Sequence, residues 1–261
     1  MAIQKAEGIV LRNHKIRETS QITTLYTREF GKLDCLVKGL RSDKSRYGSR
    51  LEILSYNRIV FYEKPKTGLH LISQCDLLDS FDSIQSNLKS LAYASYFLEL
   101  LNEFAKPGDE DKTLFFILRN SLKFLDSIAE PKTSSPIESS ILKLSFVFEV
   151  KLLQTAGLMP RLEHCVACHS ESEDAVSFSP LLGGVLCRRC RLKDRQARPI
   201  LKGVTSTLIH LEKENFQRLV SGRFRILPGV ARQLKIILKA FIRFHLEKDL
   251  KTRRFLDRMD Y

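Results

Sequence analysis

The sequence predicts an α+β protein: a small closed β-barrel at the N-terminus, then a helical domain interrupted by a cysteine-bearing segment. Three observations carry this. Up to about residue 80 the chain is made of short runs rich in β-branched and aromatic residues, broken by turn signals. From Ser83 onward the apolar residues recur with a helical period. Between them in character, residues 165–190 carry two Cys-x2-Cys pairs.

Candidate strands are Glu7 to Asn13, Gln21 to Thr27, Lys32 to Lys38, Leu51 to Tyr62 and Leu69 to Leu78. Turns are expected at Phe30-Gly31-Lys32 and over Lys64 to Gly68, where Gly and Pro punctuate the pattern. Five strands in some eighty residues suit a small closed barrel. The first helix runs from Ser83, with Ile84, Leu88, Leu91, Ser95 and Leu98 on one face and Phe97, Leu101 and Phe104 broadening it, until Pro107-Gly108 stops it. A second spans Thr113 to Ala129. A third opens at Pro136, in the first-turn position proline tolerates, and passes through Ile141, Phe146, Phe148 and Leu152 to a stop at Gly157. Helical periodicity returns over Val204 to Leu219 and again from Val230 to His245, whose opposite face is Arg232, Lys235, Lys239 and Arg243. The expected division is 1–81 for the barrel and 82–261 for the helical domain, with the cysteine insertion at about 161–192.

Composition narrows the function. The chain has 261 residues, 43% of them hydrophobic and 28% charged, as in a globular protein, and no stretch is apolar enough for a membrane span. Residues 1–15 mix charges with single apolar residues and lack the pattern of a secretory signal, so a cytoplasmic location without membrane partners is expected. In that reducing compartment six cysteines serve as metal ligands, redox groups or buried hydrophobes rather than disulfides. The net charge of +13 favours polyanionic partners. Lys plus Arg against Asp plus Glu is 14 to 9 in residues 1–80, 8 to 10 in 81–160 and 21 to 11 in 161–261, so the basic excess lies at the two ends.

Cys165-x2-Cys168 and Cys187-x2-Cys190 can each present two thiolates to one ion, and two such turns complete a tetrahedron. Ala175 to Ser179, the turn Leu182-Gly183-Gly184 and Val185-Leu186 supply the hairpin of a zinc ribbon. Four thiolates leave no open position for water, so one structural zinc is expected; the alternative is two unrelated redox or buried pairs. His164 and His169 flank the first pair and could replace a thiolate. Cys35 and Cys75 read as small buried hydrophobes and His245 as a satisfied core histidine.

Two basic runs are candidate nucleic-acid contacts. Lys38, Arg41, Lys44, Arg46 and Arg50, with Tyr47 among them and only Asp43 opposing, form a loop between two barrel strands. Cations there can neutralise phosphates while the ring stacks on a base. Arg188, Arg189, Arg191 and Lys193, continuing to Arg195 and Arg198, follow the last cysteines with Asp194 as the only acid. Either run could equally be a solvated face. A third set, Lys248, Lys251, Arg253, Arg254 and Arg258, is the weakest case, since helix ends favour cations anyway. No phosphate loop, nucleophile elbow or His-Glu-x-x-His site occurs, and no residues assign an acid, a base and a nucleophile, so no enzyme is expected.

The order of these parts resembles the RecO family of bacterial DNA repair proteins over essentially the whole chain. Three stretches carry the likeness: Val37-Lys38-Gly39-Leu40-Arg41 with Leu51-Glu52-Ile53; Gly157-Leu158-Met159-Pro160-Arg161-Leu162 leading into the four cysteines with Phe178 and Gly183-Gly184; and Leu246 to Leu250 through Arg254-Phe255-Leu256. The resemblance implies an oligonucleotide-binding (OB) barrel, a helical domain with a zinc ribbon and no catalysis. It implies binding of single- and double-stranded DNA, annealing of complementary strands, engagement of the acidic tail of single-strand-binding protein, and work with RecR to load RecA, in a bacterial cytoplasm at the nucleoid. By position Lys38, Arg41, Lys44, Arg46 and Arg50 match the family's DNA-binding loop region, and the cysteines match its zinc ligands. His169 stands where relatives commonly have glycine. Two other classes share these modules: an RNA-binding or ribosome-associated barrel with a zinc ribbon, and an adaptor whose basic surface takes acidic protein tails.

Overall fold

The computed structural model describes residues 2–18, 20–38, 51–64, 66–129, 137–171, 175–221 and 224–259. Contacts group the chain into two units, Met1–Ser135 with Thr252–Tyr261, and Pro136–Lys251. The expected boundary at 81/82 is where strands give way to helices; grouping by contact joins the next helices, and the last one, to the barrel.

In the first unit, β1 (Ile3–Arg17), β2 (Ser20–Thr27), β3 (Gly31–Lys38), β4 (Tyr56–Tyr62) and β5 (Leu69–Asp79) close a barrel in the order β1-β2-β3-β5-β4. All pairs are antiparallel except β3 with β5. This is the five-stranded OB barrel that the sequence led us to expect. Strand β1 is longer than its apolar run because it serves two neighbours, β4 through Ile3 to Ile9 and β2 through Gly8 to Arg17. Irregularities between Val10 and Arg12 and between Lys15 and Arg17 let it bend around the barrel. The alternating burial of β3 sends Leu33, Cys35 and Val37 inward, where they meet Val10, Leu25, Ile59, Phe61, Ile72 and Cys75.

Leu51 to Ser55, expected to begin a strand, is instead a turn that buries Leu51, Leu54 and Ser55 and leaves Glu52 and Ile53 exposed. Leu54 takes a left-handed conformation (φ 80°), its N–H donates to the Val10 carbonyl, and Val10 N–H returns a bond to Ser55. The apolar run therefore marks burial rather than a ladder.

The helix expected from Ser83 is two: α1 (Asp82–Gln85) and α2 (Leu88–Phe104). Asn87 separates them by accepting from Ser90 N–H at 2.9 Å, an N-cap that restarts the helix. Helix α3 (Lys112–Ala129) follows a loop that docks on the barrel. There Lys32 Nζ donates to the carbonyls of Asn102 and Ala105, which the end of α2 leaves open. Gly31, at φ 58°, lies so close to the Asp109 carbonyl that no side chain would fit. Helix α8 (Lys251–Met259) belongs to this unit too, and Glu99 accepts from both Thr252 N–H and its hydroxyl at the helix start.

The second unit contains α4 (Ile137–Thr155), a small sheet, and α5 (Lys202–Lys213), α6 (Phe216–Ser221) and α7 (Pro228–Leu246). Helix α4 is buried on most sides and ends at Gly157, φ 69°. The sheet runs β7-β6-β8, with β6 (Ala175–Ser179), β7 (Gly184–Cys187) and a two-residue β8 (Arg198–Pro199). Phe178 of β6 packs edge-on against Phe241 of α7, centroids 5.6 Å apart, which ties the ribbon to the helices. Among the described residues no helix is long and apolar enough to cross a membrane.

Candidate metal centre and nucleic-acid interface

Backbone hydrogen bonds build both cysteine turns. His169 N–H donates to the Cys165 carbonyl at 2.8 Å and Cys190 N–H to the Cys187 carbonyl at 3.0 Å, so each Cys-x2-Cys segment curls on itself. The segment before the first turn is pinned to β7: Val185 N–H donates to Arg161, and Val166 N–H to Val185. That close approach requires Gly184, where an added Cβ would strike the Arg161 carbonyl. The Arg161-Leu162 stretch and the Gly183-Gly184 turn are thus two halves of one fitting.

All four thiol sulfurs lie within 4.8 Å of one another. Cys168 Sγ and Cys187 Sγ are 3.7 Å apart, far beyond the ~2.05 Å of a disulfide and close to the ~3.8 Å edge of a tetrahedron with ~2.3 Å metal–sulfur bonds. Cys187 N–H points at Cys165 Sγ at 3.4 Å, and Ser170 Oγ lies 3.2 Å from Cys168 Sγ. The Ser170 hydroxyl draws Cys168 down to about 6, while burial pushes Cys190 up to about 12. Four thiolates this close would not coexist without a cation between them, so the donor set fits a thiophilic tetrahedral ion. His164 and His169 are exposed and neither joins the cluster.

His169 has φ 61°, a conformation that costs any residue with a Cβ and that glycine adopts freely. Its place after the second cysteine explains why a glycine suits that position. Cys35 and Cys75 are buried in the barrel as expected; burial raises Cys35 to about 12, and Cys75 donates to Asn57 Oδ1.

The two basic runs fare differently. Lys38 is the exposed last residue of β3, opposite Ser20, while Arg41, Lys44, Arg46, Tyr47 and Arg50 lie outside the described residues. Arg188, Arg189, Arg191 and Lys193 are all exposed on the second cysteine turn and the 3-10 turn after it, as are Arg195 and Arg198. The one acid among them, Asp194, points inward. It is buried, accepting from Ser179 Oγ at 2.6 Å and Gln196 N–H at 2.8 Å, so it fastens the ribbon instead of standing in solvent among the arginines.

Two expectations need correction. Arg253 is no surface cation: it is buried over the Tyr96 ring and close to Asp257, 3.6 Å away. His245 is only partly buried and its Nε2 finds no hydrogen-bond partner among the described residues; it is held by ring contacts with Phe241 and Phe244 instead. One feature escaped the sequence altogether. An open groove of about 1550 Å³ runs between the ribbon and α7, and it gathers cations from both.

Comparison with known proteins agrees with this arrangement. A family model described as Recombination protein O N terminal matches residues 1–81, and one described as Recombination protein O C terminal matches residues 85–254. Among curated relatives, a DNA repair protein RecO from Moorella thermoacetica is 31% identical over 97% of this chain and 90% of its own length. Those of Halalkalibacterium halodurans, at 30% over 98% and 95%, and Caldanaerobacter subterraneus, at 31% over 98% and 98%, are similar to it as well.

Proposed function

The chain belongs to the Recombination protein O family of DNA repair proteins, and on that premise we propose that it is a non-enzymatic recombination mediator. It binds single- and double-stranded DNA, anneals complementary strands, and with RecR helps load RecA onto DNA coated with single-strand-binding protein, whose acidic tail it engages. It does so in the cytoplasm, at the nucleoid. The metal held by Cys165, Cys168, Cys187 and Cys190 is one structural zinc, which fixes the ribbon and supplies no open position for chemistry.

The observation that supports DNA contact best is the row from Arg188 to Arg198, exposed along its length with its only carboxylate turned inward. A surface of this kind neutralises phosphates, releases counterions and lets two strands that repel each other approach. Holding both on one protein raises their effective concentration, so annealing needs no bond to be made or broken. On the barrel, Lys38 begins a second basic stretch whose remaining members are Arg41, Lys44, Arg46, Tyr47 and Arg50.

The test is a salt titration of single-strand binding. If six to ten phosphates are neutralised, affinity falls roughly 10³- to 10⁵-fold between 50 and 200 mM salt. Replacing Arg188, Arg189, Arg191 and Lys193 by alanine should flatten the log–log slope by about 0.7 for each phosphate left without its cation. Salt-insensitive binding would contradict the reading, and stronger binding to matched RNA than to DNA would redirect it to the ribosome-associated class.

A further inference from the structure

Two rows of like charge face each other across the groove in the second unit. Lys193, Arg195 and Arg198 line it from the ribbon, Lys239 and Arg243 from α7. Its two carboxylates are Asp194, buried where it accepts from Ser179 and Gln196, and Glu247. Arg243 is held at 3.1 Å by Asp249, so the ribbon wall is the stronger half. With five cations against two carboxylates in its lining, the groove carries a positive balance that favours an anionic occupant.

The floor is not polar. Phe244 and Ile236, each 43% exposed, stand on the solvent side of a helix whose core face already holds Leu234, Ile237, Leu238, Phe241 and Ile242. A lone exposed apolar residue needs no explanation. An aromatic ring lining one groove together with cations is a different matter, because that pairing of charge and ring is what unpaired nucleotides recognise. At about 1550 Å³ the open groove is larger than the ~300–1000 Å³ of small-ligand pockets and has room for a polymer segment. In the sequence its ribbon wall follows the exposed Arg188, Arg189 and Arg191, and together they make a longer run of charge than a short acidic peptide would need.

We propose that this groove is a single-strand track, in which phosphates run between the two basic walls and an unpaired base stacks on Phe244. The proposal rests on the DNA-binding reading above and adds a site that reads the unpaired state. A duplex can meet the cations, but its bases, already stacked on each other, have no free face for the ring.

The chain has no tryptophan, so Phe244→Trp places the only indole of the protein at the proposed stacking position. Full-length F244W, zinc-loaded, is titrated with a thymidine oligonucleotide, with a hairpin duplex of matched charge, and with an oligoglutamate peptide. The expected result is quenching by the single strand alone. In parallel, F244A should bind the single strand roughly 5- to 100-fold more weakly, the range for removal of one base–ring stack, with duplex affinity held within about twofold. If F244A folds poorly, the F244W protein carrying Lys193, Arg195 and Arg198 as alanines, all exposed sites, should lose the quenching instead. Single-strand binding that leaves the indole emission unchanged overturns the track while the DNA-binding reading stands. Quenching by the peptide alone assigns the groove to an acidic protein partner and likewise overturns it. Failure of the wild-type chain to bind any oligonucleotide removes the DNA-binding reading and the track together.

Discussion

The barrel and the cysteine ribbon are both small β structures, yet they are held together by different means. Inside the barrel Val10, Leu25, Leu33, Val37, Ile59, Phe61 and Ile72 form a continuous apolar core. The corresponding centre of the ribbon is Cys165, Cys187, Cys190 and Leu186, with Val166, Ala167 and Ala197 at its margin. Three of its four buried members are thus ligands. A barrel of this kind folds on hydrophobic burial, whereas the ribbon has little to bury and, on the proposed reading, would depend on the ion its cysteines can hold. The difference also separates the tasks. The proposed ion at the root of a turn would hold Arg188 to Lys193 in place with their side chains exposed, which an apolar core could do only by using that surface for packing.

The sharpest way to break the comparison is to remove the ion. Chelation, or Cys187→Ser, withdraws an interaction worth roughly 10 to 16 kcal/mol in isolated zinc-finger sites. Amide exchange over β6 and β7 should become unprotected while β1 to β5 stay protected; protected ribbon amides in the metal-free chain would show that the ribbon has a core of its own. The converse experiment is Phe61→Ala. Phe61 is 1% exposed and packs edge-on against Phe30 and His70, so its loss should cost the barrel about 3 to 5 kcal/mol. Denaturant melting of the barrel would register this, with zinc stoichiometry unchanged.

Smaller changes sharpen the contrast. Gly31→Ala combines left-handed strain with a collision at the Asp109 carbonyl, and roughly 2 kcal/mol should be lost from the first unit in the same melting experiment. In the ribbon the sign reverses: His169→Gly relieves a positive φ and should tighten zinc retention against a competing chelator by up to ~1 kcal/mol. Weaker zinc retention in that variant would mean that the imidazole itself supports the knuckle.

The smallest effect is electrostatic. Glu7 accepts from the Tyr56 hydroxyl at 2.6 Å and pairs with Arg58 and Arg28, and the Tyr56 bond, with those charges, holds its carboxyl below the usual range against the opposing effect of burial. A folded pKa below the unfolded one adds stability that is present above the unfolded value and is lost as pH falls through the folded one. Glu7→Gln should therefore flatten the acid limb of the barrel's pH–stability curve and leave the ribbon's metal-linked limb alone.

Much of this fold could be read from the residues, and the two missed helix breaks share a cause. β2, β3 and β5 follow their apolar runs to within a residue or so because alternation and the Gly31 and Gly68 turns bound them. Both missed helix breaks are at asparagine. Asn87 caps α2, and Asn215, whose Oδ1 accepts from Gln217 N–H, separates α5 from α6; in each case the apolar period carries on through the cap and conceals it. Strand β8 is two residues long and has no period to detect.

The four-cysteine cluster was legible from spacing alone, since Cys-x2-Cys is a local device. The groove was not, because it joins residues near 195 with residues near 240, which long-range contacts such as Phe178 on Phe241 bring together. Lys239 and Arg243 were visible as the polar face of a helix, with nothing in the sequence to say what they faced.

Strand annealing tests the central claim most directly. Two complementary fluorescent oligonucleotides, naked and then coated with single-strand-binding protein, are mixed with the wild-type chain, with a Lys38, Arg41 and Lys44 triple alanine variant, and with the Arg188, Arg189, Arg191 and Lys193 quadruple alanine variant. The account expects the wild type to accelerate annealing in both formats and both variants to lose most of that acceleration. No acceleration by the wild type in either format would contradict it and leave the chain an adaptor for acidic protein tails.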